Sequence, residues 1–144
     1  MNHLAVMNKS WGFIKKISAG EKKIESRWYK NKYSPWNKIK AGETVYFKNS
    51  GEPIKIKAEI KRVIQFSELT PQKVKKIMGL YYKDLGIENV ELKSYIKLFK
   101  DKKYCLLIFL KNPVKIKPFE INKRGFGAMA AWITTNKINS IIRK

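Results

Sequence analysis

From Ile54 to Ile60 the chain reads IKIKAEI, with apolar and polar residues alternating one for one. A period of two places the isoleucines on one face and the charges on the other, so this stretch is a half-buried β-strand that needs a core on its apolar side. The alternation slips at Lys61-Arg62 before Val63, which predicts a bulge that bends a long strand. Whatever this chain folds into must contain a long, bent strand with one wet face.

Neighbouring segments supply partners for it. HLAVM near the start, KKIESRWYK, TVYF before the NSGEP turn, the apolar run YCLLIFL and the alternating VKIKPFEI all read as strands, the last an edge type because it tolerates Pro118. Helices interrupt them. Ser10 offers an N-cap for a short helix to Ala19, with Trp11, Ile14 and Ile17 on one side and Gly20 as a stop. Thr70-Pro71 opens a second, whose apolar stripe runs from Val74 to Leu85 and ends near Gly86. Leu92, Tyr95, Ile96 and Phe99 predict a third. The tail NKRGFGAMAAW suggests a loop packed back on the strands, and Asn136 to Lys144 a terminal helix or a frayed end. Five or six strands of mixed length with inserted helices suit an α+β fold, a small, partly closed β-barrel. With 144 residues and no linker-like tract, residues 1–144 are read as one domain.

The longest apolar run, Tyr104 to Leu110, is too short to span a membrane, and the start lacks the pattern of a secretory signal, so a cytoplasmic location is expected. One cysteine, Cys105, and one histidine, His3, make an intrachain disulfide impossible and a zinc site of nitrogen and sulfur ligands very poor. His3 reads as an ordinary surface or strand-end residue, and no metal or cofactor is expected. Against 11 acidic residues stand 32 basic ones, a formal charge of +21. A field of that sign attracts polyanions, nucleic acid first. Because 28 of the basic residues are lysine, alongside 18 isoleucines, the composition also fits an A/T-rich coding bias, and the charge by itself is support only.

A more specific signal lies between the first helix and its following strand. In AGEKKIESRW, Glu25 and Arg27 are two apart and share a strand face, Lys22 sits at the turn feeding it, and Gly20 permits a tight change of direction. The bland reading is an exposed ion pair of little energetic worth beside a solvated lysine. In RWYKNKYSPW, just beyond, Arg27, Lys30 and Lys32 alternate with Tyr29, Tyr33 and Trp36, joining phosphate partners to flat rings on which unpaired bases stack. Trp28 shares its face with Ile24 and is expected in the core. Arg124 and Phe126 in the tail would form an opposite lip. Glu25 supplies what the cations cannot, an acceptor for the amino group of a base. Lys22 beside it is expected to stay protonated and to bind rather than attack. A basic face docking an acidic protein partner is a third, distinct class of function.

Gly20, Lys22, Glu25 and Arg27 read G-x-K-x-x-E-x-R, which resembles the signature of the ASCH family, small barrels related to the PUA fold of RNA-modifying enzymes. The preceding helix, the GETVYF strand and the SGEPIKIKAEI hairpin follow the family's order, so the resemblance covers nearly the whole chain. It implies a cleft for RNA or a modified nucleotide. Some proteins of this fold hydrolyse the acyl group of N4-acetylcytidine with a lysine matching Lys22, and others are assigned ribonuclease activity, with Lys22 and Glu25 then the catalytic pair. The sequence departs from the hydrolase pattern where Glu25 replaces a threonine, and no glutamate stands between Thr70 and Tyr82.

Overall fold

The computed structural model describes residues 1–122 and 130–143. Six strands form one sheet: β1 (Asn2–Met7), β2 (Ile24–Tyr29), β3 (Thr44–Asn49), β4 (Ile54–Phe66), β5 (Tyr104–Phe119) and β6 (Trp132–Thr135). Their order is β2-β5-β4-β3-β1-β6. Only β1 and β3 run parallel; the other neighbours are antiparallel. The sheet curls into a partly closed barrel carrying three helices, α1 (Phe13–Ser18), α2 (Pro71–Tyr81) and α3 (Leu92–Phe99).

The alternation that identified β4 is borne out in its burial: Ile54, Ile56, Ala58 and Ile60 are buried while Lys55 and Glu59 are exposed. Its pairing with β5 shifts register between Ile60 and Arg62, where the sequence pattern slips. That bend, with two earlier shifts, lets a 13-residue strand follow the curl of the barrel. α2 begins as expected, with the Thr70 hydroxyl accepting from the Lys73 amide and Pro71 in the first turn.

Three expectations need correction. The first helix is not continuous from Ser10: Asn8 caps a single 3-10 turn over Lys9–Trp11, and Gly12 at φ 67° breaks it before α1 starts at Phe13. YCLLIFL and VKIKPFEI are one 16-residue strand, β5, with Asn112 at φ 53° inside it. The end of the chain is a 3-10 turn at Ile138–Ile141 and not an α-helix. Of the tail read as a loop, residues 123–129 lie outside the described residues; its last residue, Trp132, opens β6, which pairs with β1.

One core cluster joins Phe13, Ile17, Ile24, Trp28, Phe47, Val74, Met78, Leu85 and the β5 run Cys105–Ile108; α3 packs on it through half-buried Leu92, Tyr95, Ile96 and Phe99. Among the described residues no helix is long and apolar enough to cross a membrane. The arrangement leaves β2 and β6 as the two sheet edges, and the functional question centres on the gap between them.

Candidate nucleic-acid site

Arg27 reaches across that gap. From β2 its Nη2 donates to the Val6 carbonyl at 3.2 Å and its Nη1 to the Ala131 carbonyl at 3.3 Å, while its guanidinium lies 5.1 Å from the Trp132 ring. Nη2 also meets Glu25 Oε2 at 3.0 Å. Glu25 Oε1 accepts from the Ser26 amide at 2.9 Å and faces Lys22 Nζ at 3.4 Å. Lys22 Nζ donates to the Leu85 carbonyl at 2.7 Å and sits 4.2 Å above the Phe13 ring. Lys22 and Glu25 are each only 3% exposed and the Arg27 side chain 13%, so the three charges are a largely buried cluster and not a surface ion pair.

The loop after α2 holds this cluster in place. The Asp84 carbonyl accepts from the amides of Lys23 and Ile24, and the Gly86 carbonyl from Lys16 Nζ. Gly86 has φ 79°, and a Cβ there would lie 3.1 Å from Lys22 Cβ. Glycine satisfies both demands, the left-handed backbone and the close approach of the lysine stem.

Burial pulls the Lys22 ammonium down to about 8, with Glu25 pulling the other way. The sequence expectation of a firmly protonated lysine is therefore revised: at neutral pH it is charged but near the point of releasing its proton. The group binds protons less readily folded than unfolded, so its contribution to stability is full above its ordinary 10.5, declines as pH falls from there to about 8, and is flat below. Wild type should accordingly gain on the order of 3 kcal/mol relative to Lys22→Met between pH 7 and pH 10.5. Urea unfolding of both proteins across that range measures it, and parallel profiles would contradict it.

These residues line a cleft of about 250 Å³ whose other walls are the end of β1, the Trp11–Phe13 turn, the loop at Leu85–Ile87 and α3. All five residues from Glu25 to Tyr29 contribute, which a strand paired on both sides would not allow. Among the described residues β2 has only β5 as strand neighbour. The Lys23 carbonyl accepts from Leu110, directing odd-numbered backbone groups to β5, whereas the Ile24 and Ser26 amides bond elsewhere. By strand alternation the Ser26 carbonyl and the Trp28 amide and carbonyl turn to the free edge, adding main-chain donors and acceptors to the cleft wall.

The other residues named from sequence are dispersed. Tyr29 lines the cleft and donates its hydroxyl to the Ser34 carbonyl. Tyr33 is 59% exposed, edge-on to Tyr29, and with exposed Lys30 and Lys32 lies outside the lining. Trp36 is half-buried against Tyr104, also away from the cleft, because the turn after β2 carries it to the β5 side. Gly20, at φ 78°, is an exposed turn residue between α1 and β2. Arg124 and Phe126 lie outside the described residues. The aromatic wall is instead Trp11, Phe13, Tyr95, Phe99 and Trp28, the last stacked on Phe99 at 5.0 Å and 9°. Trp28 is buried as expected, yet one side of it faces the cleft.

His3 is not a surface residue. It is fully buried on β1, where its Nδ1 accepts from Trp132 Nε1 at 3.1 Å; an indole N–H only donates, so the proton is on Nε2, which donates to Glu43 at 2.9 Å. Burial lowers its pKa below 6.5, opposed by Glu43. Stability from His3 is thus full above about 6.5 and lost as pH falls through its folded value. Protonation sets one N–H against another and should loosen Trp132, the ring beneath Arg27. An acid titration of tryptophan fluorescence checks this, with the transition absent in His3→Gln.

No family model matches the sequence, and neither does any curated protein. Among solved structures the chain is similar to the crystal structure of ASCH from Zymomonas mobilis, at 12% identity over 99% of this chain and 96% of that one, with a TM-score of 0.66. A single-residue variant of the same protein gives 13% identity over 96% and 91% and a TM-score of 0.68. The chain has an ASCH fold. At these identities it is the architecture that is shared, and within the ASCH fold the buried cluster of β2 occupies the gap between the sheet edges.

Proposed function

We propose that the cleft binds an unpaired nucleotide of RNA, its base among the rings of Trp28, Phe99, Tyr95 and Phe13. The observation that carries this reading is the buried Lys22–Glu25–Arg27 cluster opening on an aromatic cleft of about 250 Å³, a size suited to a base. Glu25 accepts from an exocyclic amino group, the free edge of β2 adds directional contacts, and Lys22 answers developing or resident negative charge. Arg27 Nε, buried without a partner among the described residues, is a further donor at this wall. Tyr33, Lys30 and Lys32 lie beyond Tyr29 as a rim for the flanking chain, consistent with the basic surface. The reading fits a single-domain cytoplasmic protein.

Anisotropy titration of labelled single-stranded RNA tests it. Phe99→Ala should weaken binding by about 1–3 kcal/mol, the worth of a stacked base, at both low and moderate salt. Retention of full affinity by Phe99→Ala would overturn the reading.

A second reading is favoured by Lys22 alone: an amine near 8 can take a proton at mildly alkaline pH, which hydrolysis of an acylated nucleoside or of RNA requires. Incubation with N4-acetylcytidine, or with RNA, should then release product at a rate rising through pH 8. Absence of product at every pH removes this alternative and leaves binding.

A further inference from the structure

A second concavity lies on the far side of α1. Its volume is about 740 Å³, and its floor is apolar, formed by Ile14, Ile56, Ile116 and Pro118. Three exposed lysines, Lys15 from α1, Lys55 from β4 and Lys115 from β5, stand around that floor. Ile56 and Lys115 are paired across the strands, which fixes two sides of the groove on the sheet.

The charges here are largely uncompensated. Lys15 and Lys115 make no ion pair with any described residue. Lys55 lies 3.5 Å from Glu52, but that carboxylate is held more closely, at 2.9 Å, by Lys9. Among the described residues no acidic side chain lines the groove. Strand addition by a protein partner is disfavoured, because β5 carries Pro113 and Pro118 in the segment beyond its pairing with β2 and lacks those two amide donors.

The groove adjoins the cleft across α1 and shares no lining residue with it. α1 is their common wall: Phe13 faces the cleft, and Ile14, Lys15 and Ser18 face the groove. A six-residue helix is only about 9 Å long. A second link runs from Asn8 on the cleft through neighbouring Lys9 to Glu52 and on to Lys55.

We infer that this groove takes the sugar-phosphate chain flanking the nucleotide bound in the cleft, so that the ligand is a single-stranded polynucleotide and not a free nucleotide. The inference rests on the nucleotide reading of the cleft. Lysines around an apolar floor contact phosphates while sugars and base faces cover the isoleucines and the proline, a sequence-tolerant mode.

The test compares a ten-nucleotide single-stranded RNA, cytidine and adenosine monophosphates, and a ten-residue glutamate peptide. They are titrated against wild type, Lys15→Gln/Lys55→Gln/Lys115→Gln, and a control with Lys61, Lys75 and Lys76 changed to Gln, which line neither site. For the decamer, the groove variant should lose about 2 from the salt slope, three contacts at roughly 0.7 each, and bind roughly tenfold more weakly at low salt. Its affinity for the monophosphates and the slope of the control should be unchanged. An equal loss in the control, no loss in the groove variant, or tighter binding of the peptide than of RNA would overturn the inference. A parallel Phe99→Ala titration separates the two failures. If that variant binds monophosphates as wild type does, the cleft reading fails; if it binds them weakly while the groove variant keeps full decamer affinity, the groove inference alone fails.

Discussion

Glu25→Gln should cost about 3–5 kcal/mol of stability, because it removes the negative charge between the buried Lys22 and the largely buried Arg27. The carboxylate is contacted by Lys22 Nζ, Arg27 Nη2 and the Ser26 amide, all donors. An amide of the same shape keeps one oxygen but turns an NH₂ towards a donor, so at least one cation is left short of an acceptor at a largely buried wall where water compensates poorly. At this chain length the loss corresponds to a fall in Tm of about 10–17 °C. Glu21→Gln, exposed four residues earlier, should stay within about 0.5 kcal/mol. Thermal unfolding of the two variants side by side decides it; equal Tm values would mean that the cluster is not the buried electrostatic unit described above.

Arg27→Met should be nearly as damaging, for a reason that includes topology. The sequence casts Arg27 as a phosphate partner, but its fork is spent on the chain itself: Val6 and Ala131 carbonyls, Glu25, and the Met7 sulfur at 3.4 Å. Methionine retains much of the apolar stem and loses every tie between β2 and the opposite strands. The expected cost is about 3 kcal/mol, from leaving Glu25 and the Val6 carbonyl short of a donor, while the Ala131 carbonyl keeps the Val6 amide. Amide hydrogen exchange in β6 should accelerate more than in β4, since β6 has a single strand neighbour and β4 has two. Uniform acceleration across the sheet would argue that Arg27 supports overall stability without fastening the gap.

The legible part of this molecule was its strands and the position of its charged cluster. Alternation in IKIKAEI, its slip at Lys61, and the Thr70-Pro71 start of α2 are local consequences of period and capping, so the sequence contains them. Lys22, Glu25 and Arg27 stood out because lysine, carboxylate and arginine at those spacings share a strand and its entry turn. What they share it with was not legible. That β2 is an edge strand depends on strand order, which pairs segments about 80 residues apart, and this decides that Ser26 and Trp28 face the cleft as well as Glu25 and Arg27.

The aromatic wall was missed for a related reason. Phe13, Tyr95 and Phe99 belong to helical faces whose default reading is core, and they do pack on the core cluster while also bounding the cleft. Tyr33 and Trp36 looked better placed because they follow the motif in sequence, but the turn after β2 takes them away from it. His3 gave no sign of burial; only its pairing beside Trp132 through the β1–β6 ladder shows why an imidazole is enclosed there. Gly12, which adopts positive φ, was the local signal that could have corrected the helix start, whereas Asn112-Pro113 reads as a break and β5 runs through it because its pairing with β4 continues on both sides.

The most direct test of the central claim, that the β2 cluster and its aromatic walls form a nucleotide site, is an amide chemical-shift titration of the isotopically labelled protein with cytidine and adenosine monophosphates. Shifts that saturate together and concentrate at Glu25–Tyr29, Leu85–Ile87 and Tyr95–Phe99 are the predicted result. Small, non-saturating shifts spread over the exposed lysines would contradict it and assign the affinity to charge alone.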